Sequence, residues 1–126
     1  MTRRDALALL DRVGVLRHRS DLDLLLFFAE HPSALLAMDS LAAFVGYSHH
    51  QIAGSIEVLV AAGLLQRRQT QAHAARLYVF DPGAAAGAWL PALLAAAATR
   101  AGRLALREAL ALRSVDSAGG SRVAGG

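Results

Sequence analysis

Hydrophobic residues recur at helical spacing near the start of the chain. Apolar side chains from Ala6 to Leu16 predict a helix over residues 5–17, which is expected to end near Gly14. Ser20 is the expected N-cap of a second helix, residues 21–31, whose middle is apolar on every side. A helix without a polar face must be covered all round. We therefore expect neighbouring helices or a second subunit to cover it.

Residues 39–46 begin the clearest pattern in the chain, two short helices joined by a tight turn. Asp39 or Ser40 is expected to cap the first helix, because its side-chain oxygen can accept from free backbone N–H groups. The apolar side of this helix consists of Leu41, Phe44 and Val45. Gly46 is expected to end it, since glycine adopts the left-handed conformation at little cost.

The second helix of this pattern, residues 48–62, begins with Ser48, and Gln51 three residues later predicts a capping box. One stripe is apolar and is expected to be buried, namely Ile52, Ile56, Leu59 and Val60. Two capped helices around a glycine turn are typical of a helix-turn-helix, whose second helix can enter a DNA major groove.

Two strand-like segments follow, residues 64–70 and 75–81, with a polar loop at 71–74 between them. The second segment is rich in aromatic and β-branched residues, which favours a β-hairpin. The short apolar segment 35–37 is expected to pair with this hairpin and complete a three-stranded sheet.

The remainder of the chain is predicted to be helical and then disordered. A helix kinked at Pro91 is expected over residues 82–113, and residues 114–126 lack periodicity, which predicts a disordered tail. One side of the helix carries Arg100, Arg103 and Arg107. We interpret that side as the exposed face of a dimerisation helix, the alternative being a nucleic-acid or membrane-surface stripe.

The order helix, helix, A-A-G-L-L-x-R (residues 61–67) and hairpin resembles the winged helix-turn-helix regulators of the MarR, ArsR and PadR type. The resemblance covers residues 22–81. It implies a mainly α fold with a small β-hairpin wing and flanking N- and C-terminal helices. The expected divisions are an N-terminal helical extension at 1–19, a winged helix-turn-helix domain at 20–81 and a C-terminal dimerisation helix at 82–113.

Charge is distributed unevenly along the chain, whose net charge is +3. Residues 21–66 carry five acidic residues and no basic one, whereas residues 67–80 carry three arginines and no acidic residue. Residues 1–20 and 100–113 each carry a net +3. Because phosphate neutralisation supplies most non-specific DNA affinity, it would have to come from the wing and the terminal helices.

Candidate base-reading residues lie on the second helix of the helix-turn-helix: Ser48, His49, His50, Gln51 and Ser55. Glutamine can pair with adenine through two hydrogen bonds, and serine can contact either base class. The alternative is a solvated helix face on which Gln51 acts only as a cap. In MarR-like proteins the position that Gly54 matches is often arginine.

Candidate wing contacts are Arg67, Arg68, His73 and Arg76. The resemblance implies that they contact phosphates or the adjacent minor groove, where a narrow A-tract attracts arginine. Arg76 matches the arginine of the family's D-x-R wing pattern, and Ala74 stands where the aspartate that pairs with it would be. The alternative is a solvated hairpin whose charges discourage edge pairing.

Other classes of function have little support in the sequence. There is no cysteine, which excludes disulfides and thiolate metal sites and fits a reducing cytoplasm. His49 and His50 are adjacent and point in different directions on a helix, so they cannot share one metal ion well. No Ser/His/Asp group, paired carboxylate or glycine-rich phosphate loop suggests an enzyme or a cofactor. The apolar run 84–99 is too short to span a bilayer, and no signal peptide is apparent.

The sequence therefore predicts a cytoplasmic, bacterial transcriptional regulator that binds double-stranded DNA as a homodimer. The recognition helix is residues 48–62 and the basic wing is residues 66–78. The resemblance also implies a small-molecule effector between the dimer helices and the wing domain. The competing interpretation is a winged-helix adaptor that binds proteins and not DNA, which the acidic helix-turn-helix and the high apolar content favour.

Overall fold

The computed structural model of the protein describes residues 1–68 and 76–125, apart from the side chains of residue 85 and residues 114–125. The fold is mainly helical with a small antiparallel sheet. The elements are α1 (Arg3–Val13), α2 (Arg19–Glu30), β1 (Leu36–Ala37), α3 (Met38–Val45), α4 (His49–Ala61), β2 (Leu65–Arg68), β3 (Leu77–Phe80), a 3-10 helix (Ala84–Ala88), α5 (Leu90–Ala97) and α6 (Arg100–Gly125). They form two compact units, Ser20–Ala88 and a terminal unit of Met1–Arg19 with Trp89–Gly126.

The turn between α3 and α4 follows the sequence closely. Gly46 ends α3 with a φ of 84°, a left-handed conformation that glycine adopts without steric cost. Ser48 caps α4: its Oγ accepts from the Gln51 backbone N–H at 3.2 Å, and Gln51 Oε1 accepts from the Ser48 backbone N–H at 3.2 Å. The predicted capping box is confirmed. Tyr47 in the turn donates to Asp23 Oδ2 on α2 at 2.5 Å, which fixes the turn against α2.

The start of α3 differs from the prediction. Ala37 occupies the N-cap position and makes no side-chain cap, so Asp39 and Ser40 lie in the first turn of the helix and not at its cap. The observed N-cap lies two residues before Asp39 and three before Ser40, and the helix follows β1 directly, without a loop. Asp39 in the first turn still interacts favourably with the positive end of the helix dipole.

The three-stranded sheet has the order β1-β3-β2, with both pairs antiparallel. Leu36 pairs with Tyr78 and Leu65 pairs with Phe80, so the predicted pairing of the short apolar segment with the hairpin is confirmed. Tyr78, in the middle strand, is only 3% exposed. The two hairpin strands are shorter than predicted among the described residues, and the predicted loop 71–74 lies outside them.

The core of Ser20–Ala88 is built mainly from α2 and α4. Helix α2 is buried on nearly every side, as its sequence predicted: Leu22, Leu24, Leu25 and Phe28 have no exposed surface. Its start is different, because the helix begins at Arg19 and Ser20 is a buried residue of the first turn, not an N-cap. Phe44 of α3, predicted on the apolar side, is 66% exposed and stacks on Phe27 with ring centroids 5.8 Å apart.

The terminal unit packs α1 against α5 and α6. Thr2 and Asp5 form a capping box at the start of α1, and the hydrogen bond from the Thr2 backbone N–H lowers the pKa of the Asp5 carboxyl. The core side chains are Ala6, Leu10, Val13, Leu16, Leu90, Leu93, Ala97, Leu106, Ala109 and Leu110. Arg113 of α6 forms an ion pair with Asp11 of α1 and donates to the Leu7 carbonyl oxygen at 3.4 Å. These contacts fix the first helix of the chain against the last.

The region after the sheet is not one kinked helix. Pro91 lies in the first turn of α5, where its missing N–H costs no hydrogen bond. The helix is interrupted between α5 and α6 instead.

Thr99 caps the start of α6, accepting from the Gly102 backbone N–H at 3.0 Å. The backbone of α6 is helical to Gly125, which differs from the disordered tail predicted at 114–126. Extending an existing helix avoids the cost of nucleation, and the backbone is helical here although residues 114–125 contain three glycines and three serines. No helix within the described residues is both long and apolar enough to cross a membrane.

Candidate nucleic-acid interface

The side of α4 that faces away from the core is a narrow row of four residues. His50, Gly54, Glu57 and Ala61 recur at i, i+4, i+7 and i+11, and all are exposed. We refer to these four residues as the outer ridge. The buried stripe on the opposite side of the helix consists of Ile52, Ser55, Ile56 and Leu59. A groove that received α4 would therefore meet the outer ridge first.

The predicted base-reading residues at the start of α4 are exposed, and three of them already have partners. Ser48 and Gln51 are joined in the capping box, which occupies the amide oxygen of Gln51. His49 Nε2 lies 3.1 Å from Asp39 Oδ1, and both side chains are well exposed. Pairing with adenine uses both the oxygen and the nitrogen of the Gln51 side-chain amide, so it would require breaking the capping bonds to that oxygen. Of the predicted residues, only His50 lies on the outer ridge.

Ser55 corrects the predicted set of base-reading residues. It is 2% exposed, and its Oγ donates to Ser20 Oγ on α2 at 2.7 Å. The bond satisfies two buried hydroxyls and joins α4 to α2. Ser55 lies between the apolar residues of the buried stripe and cannot contact a base edge while α4 is packed. Its role in this structure is internal.

An ion pair between described residues joins strand β2 to the outer ridge. Arg67 of β2 donates from Nη2 to Glu57 Oε1, and the side chains are 38% and 67% exposed respectively. The contact joins β2 to the middle of α4, so this strand lies beside the outer ridge. Exposed ion pairs add little to stability. This contact is of interest because it places a positive charge beside the exposed side of α4.

The other predicted wing residues lie further along the hairpin. Arg68 is exposed, and its Nη2 lies 3.4 Å from Gln66 Oε1. Arg76 is exposed and directly precedes Leu77, which is the strand partner of Arg68. The two arginines are therefore at the same end of the sheet. His73 lies outside the described residues.

Glu57 is the site residue that the sequence reasoning missed. In the sequence it stands out only as one of the acidic residues of the helix-turn-helix, whereas the predicted base-reading residues lie mostly in the first turn of α4. Residue spacing does place Glu57 on the exposed side of α4. It is seven residues from His50 and three from Gly54, on the side opposite Ile56 and Leu59. Its pairing with Arg67 depends on the hairpin folding back and was not readable from spacing.

The described part of the chain contains no group of three or more histidine, cysteine, aspartate or glutamate side chains that could hold a metal ion. Comparisons of the chain with protein-family models, with curated protein sequences and with solved structures found no match.

Proposed function

We propose that Ser20–Ala88 is a winged helix-turn-helix that binds double-stranded DNA, and that the protein is a transcriptional regulator acting as a homodimer. The element order α2-β1-α3-α4-β2-β3 and the sheet order β1-β3-β2 support this proposal. Helix α4 is the recognition helix, and the hairpin of β2 and β3 is the wing. The major groove admits an α-helix, and the outer ridge is the side of α4 that would enter it.

The ion pair between Arg67 and Glu57 is the observation that carries the proposal. It brings a basic hairpin beside the exposed side of α4, which is the arrangement needed for one element to reach bases while the other contacts phosphates. The pair also compensates the only acidic residue on the outer ridge. Arg68 and Arg76 then add positive charge at one end of the sheet, where the phosphate backbone would pass.

The homodimer is supported by the exposed side of α6. Leu104 and Leu112 are 54% and 40% exposed and lie on one side of the helix, eight residues apart. Beside Leu112, a surface cleft of about 340 Å³ is lined by Arg3, Glu108 and Ala111. A symmetric contact between two copies of α6 would cover both leucines. A dimer would place two copies of α4 on two DNA half-sites.

Fluorescence anisotropy with a labelled mixed-sequence duplex, at about 50 mM and 200 mM salt, tests the proposal. We expect binding to fall tenfold or more between the two concentrations, since several phosphates would be neutralised. The double variant Arg68→Ala with Arg76→Ala should weaken binding and lower the salt slope by about one for each phosphate that is no longer neutralised. Arg4→Ala with Arg100→Ala removes the same charge from exposed positions of the terminal helices, and a smaller effect of that variant would separate wing contacts from a general loss of positive charge. Absence of binding at the lower salt concentration would contradict the proposal.

A pair of variants at Gly54 tests whether the outer ridge faces DNA. A Cβ at Gly54 would meet no atom within 4 Å, so a long side chain fits there. Gly54→Arg should raise duplex affinity severalfold and Gly54→Glu should lower it, because the two place opposite charges at one position near phosphates. Both arginine and glutamate favour a helix more than glycine does, so the two variants should affect folding similarly and differ mainly in charge. Equal affinities would show that the outer ridge does not approach DNA.

A protein-interaction adaptor is the second candidate, and exposed apolar side chains favour it. Phe44 is 66% exposed and Leu35 is 42% exposed, in a unit whose α-helices carry net negative charge. Aromatic residues are enriched at protein interfaces. Under this proposal, Phe44→Ser abolishes binding to a protein partner, and the Arg68→Ala and Arg76→Ala double variant has no effect. The anisotropy titration distinguishes the two functions.

A further inference from the structure

We infer that Glu57, oriented by Arg67, reads a cytosine in the major groove and so sets the sequence preference of this chain. This inference rests on the proposed function. Glu57 is 67% exposed and lies in the middle of the outer ridge, three residues after Gly54. Because Gly54 has no side chain, nothing on the preceding turn of the outer ridge stands between Glu57 and an approaching base pair.

The acceptor chemistry of a carboxylate selects one base among four. In the major groove, cytosine presents its N4 amino group as a donor, while guanine presents only the acceptors N7 and O6. Thymine presents an acceptor and a methyl group, and adenine presents a donor beside the acceptor N7. An ionised carboxylate accepts hydrogen bonds only, so it is repelled by acceptors. Cytosine is the base whose edge it matches without a conflicting neighbour.

Arg67 removes the main objection to an acidic residue in this position. An isolated carboxylate on the outer ridge would repel phosphates, whereas the ion pair makes the local charge neutral. The guanidinium hydrogen bond engages Oε1, and a carboxylate has about four acceptor sites, so capacity remains for a base amino group. Arg67 is thus a positioning residue, since it holds the carboxylate in one orientation without itself reading the base.

The other polar residues of α4 are less suited to this role. Ser55 is buried against Ser20, and Gln51 uses its amide oxygen in the capping box. His49 lies against Asp39. His50 is at the end of the outer ridge, one helical turn before Gly54. Glu57 is therefore the polar side chain that stands at the centre of the exposed side.

Selection of bound duplexes from a random-sequence library tests the inference. The selection is carried out with the unaltered whole chain, with Glu57→Gln and with Arg67→Lys, and the enriched sequences are compared. We expect the unaltered chain to enrich a cytosine at one position of each half-site. Glu57→Gln should reduce that preference about fivefold or more and leave the other positions unchanged. Arg67→Lys keeps the charge but loses the planar fork, so it should weaken the same preference less. Glu30→Gln, an exposed carboxylate of α2, controls for the change in net charge.

The outcomes separate this inference from the proposed function. If Glu57→Gln binds all sequences more tightly by one factor and keeps every base preference, then Glu57 only repels phosphates and the inference is wrong. DNA binding would stand in that case. If the unaltered, folded chain enriches no duplex at either salt concentration, both proposals fail together. A change confined to the cytosine position supports the inference.

Discussion

Gly54 and Gly102 both lie inside α-helices, and the structure gives them opposite surroundings. Gly54 is exposed in the middle of α4, and a Cβ there would meet no atom within 4 Å. Gly102 is buried in the first turn of α6, where a Cβ would overlap the backbone carbonyl oxygen of Ala96 and lie 3.0 Å from its carbonyl carbon. Neither glycine has a positive φ, so neither is required by backbone conformation.

The difference separates a glycine required by packing from one that packing does not explain. At Gly102, the absence of a side chain lets the end of α5 approach the start of α6, and no other residue fits without movement. At Gly54, any side chain fits and most would stabilise the helix. At Gly54 packing gives no reason for a glycine, so the question is whether another molecule approaches the backbone of α4 there.

The largest effect is expected for Gly102→Ala. The added methyl group would collide with a backbone atom, which cannot rotate away, so we expect a loss of about 2 kcal/mol in the free energy of unfolding. Trp89 is the only tryptophan of the chain and belongs to the same unit as Gly102, so urea denaturation followed by its fluorescence reports on that unit. Unchanged stability would mean that α5 and α6 can separate at this turn without cost.

Ser55→Ala should have an intermediate effect, of about 1 kcal/mol. Removing the hydroxyl leaves Ser20 Oγ buried without this hydrogen bond, and an unsatisfied buried group costs more than the bond contributes. The double variant Ser20→Ala with Ser55→Ala should recover part of the loss, and a double-mutant cycle in urea denaturation measures the coupling. If the two losses simply add, the hydroxyls do not stabilise each other.

Much of the fold could be predicted because its signals are local. The capping box of Ser48 and Gln51, the end of α3 at Gly46 and the fully apolar middle of α2 depend on residues a few positions apart. The pairing of Leu36 with Tyr78 is distant in sequence, but short apolar segments have few places to pair in a small sheet. The break between α5 and α6 was missed because Pro91 suggested a kink, whereas proline also fits a helix start.

The candidate site was harder to predict, because it depends on which side of α4 is buried. Ser55 lies only about 40° from Gln51 around the helix, so periodicity alone did not separate a buried serine from an exposed glutamine. Its partner Ser20 lies 35 residues away on α2. The pair of Glu57 and Arg67 likewise joins a helix to a strand. The function of these side chains depends on contacts between elements that are distant in the sequence. Residue spacing within one element does not reveal those contacts.

The smallest effect is expected for Gly54→Ala, and it is informative in two measurements. In an exposed helix interior, alanine should raise the free energy of unfolding by about 0.5–1 kcal/mol, since glycine loses more conformational freedom on folding. Urea denaturation followed by far-ultraviolet circular dichroism measures this gain. Duplex affinity measured on the same sample then shows how closely DNA approaches α4. An affinity within twofold of that of the unaltered chain would mean that side chains of α4, and not its backbone at Gly54, make the contacts with the bases. A large loss of affinity in a more stable protein would mean that the α4 backbone itself touches DNA, and that Gly54 is kept for that approach despite its cost in stability.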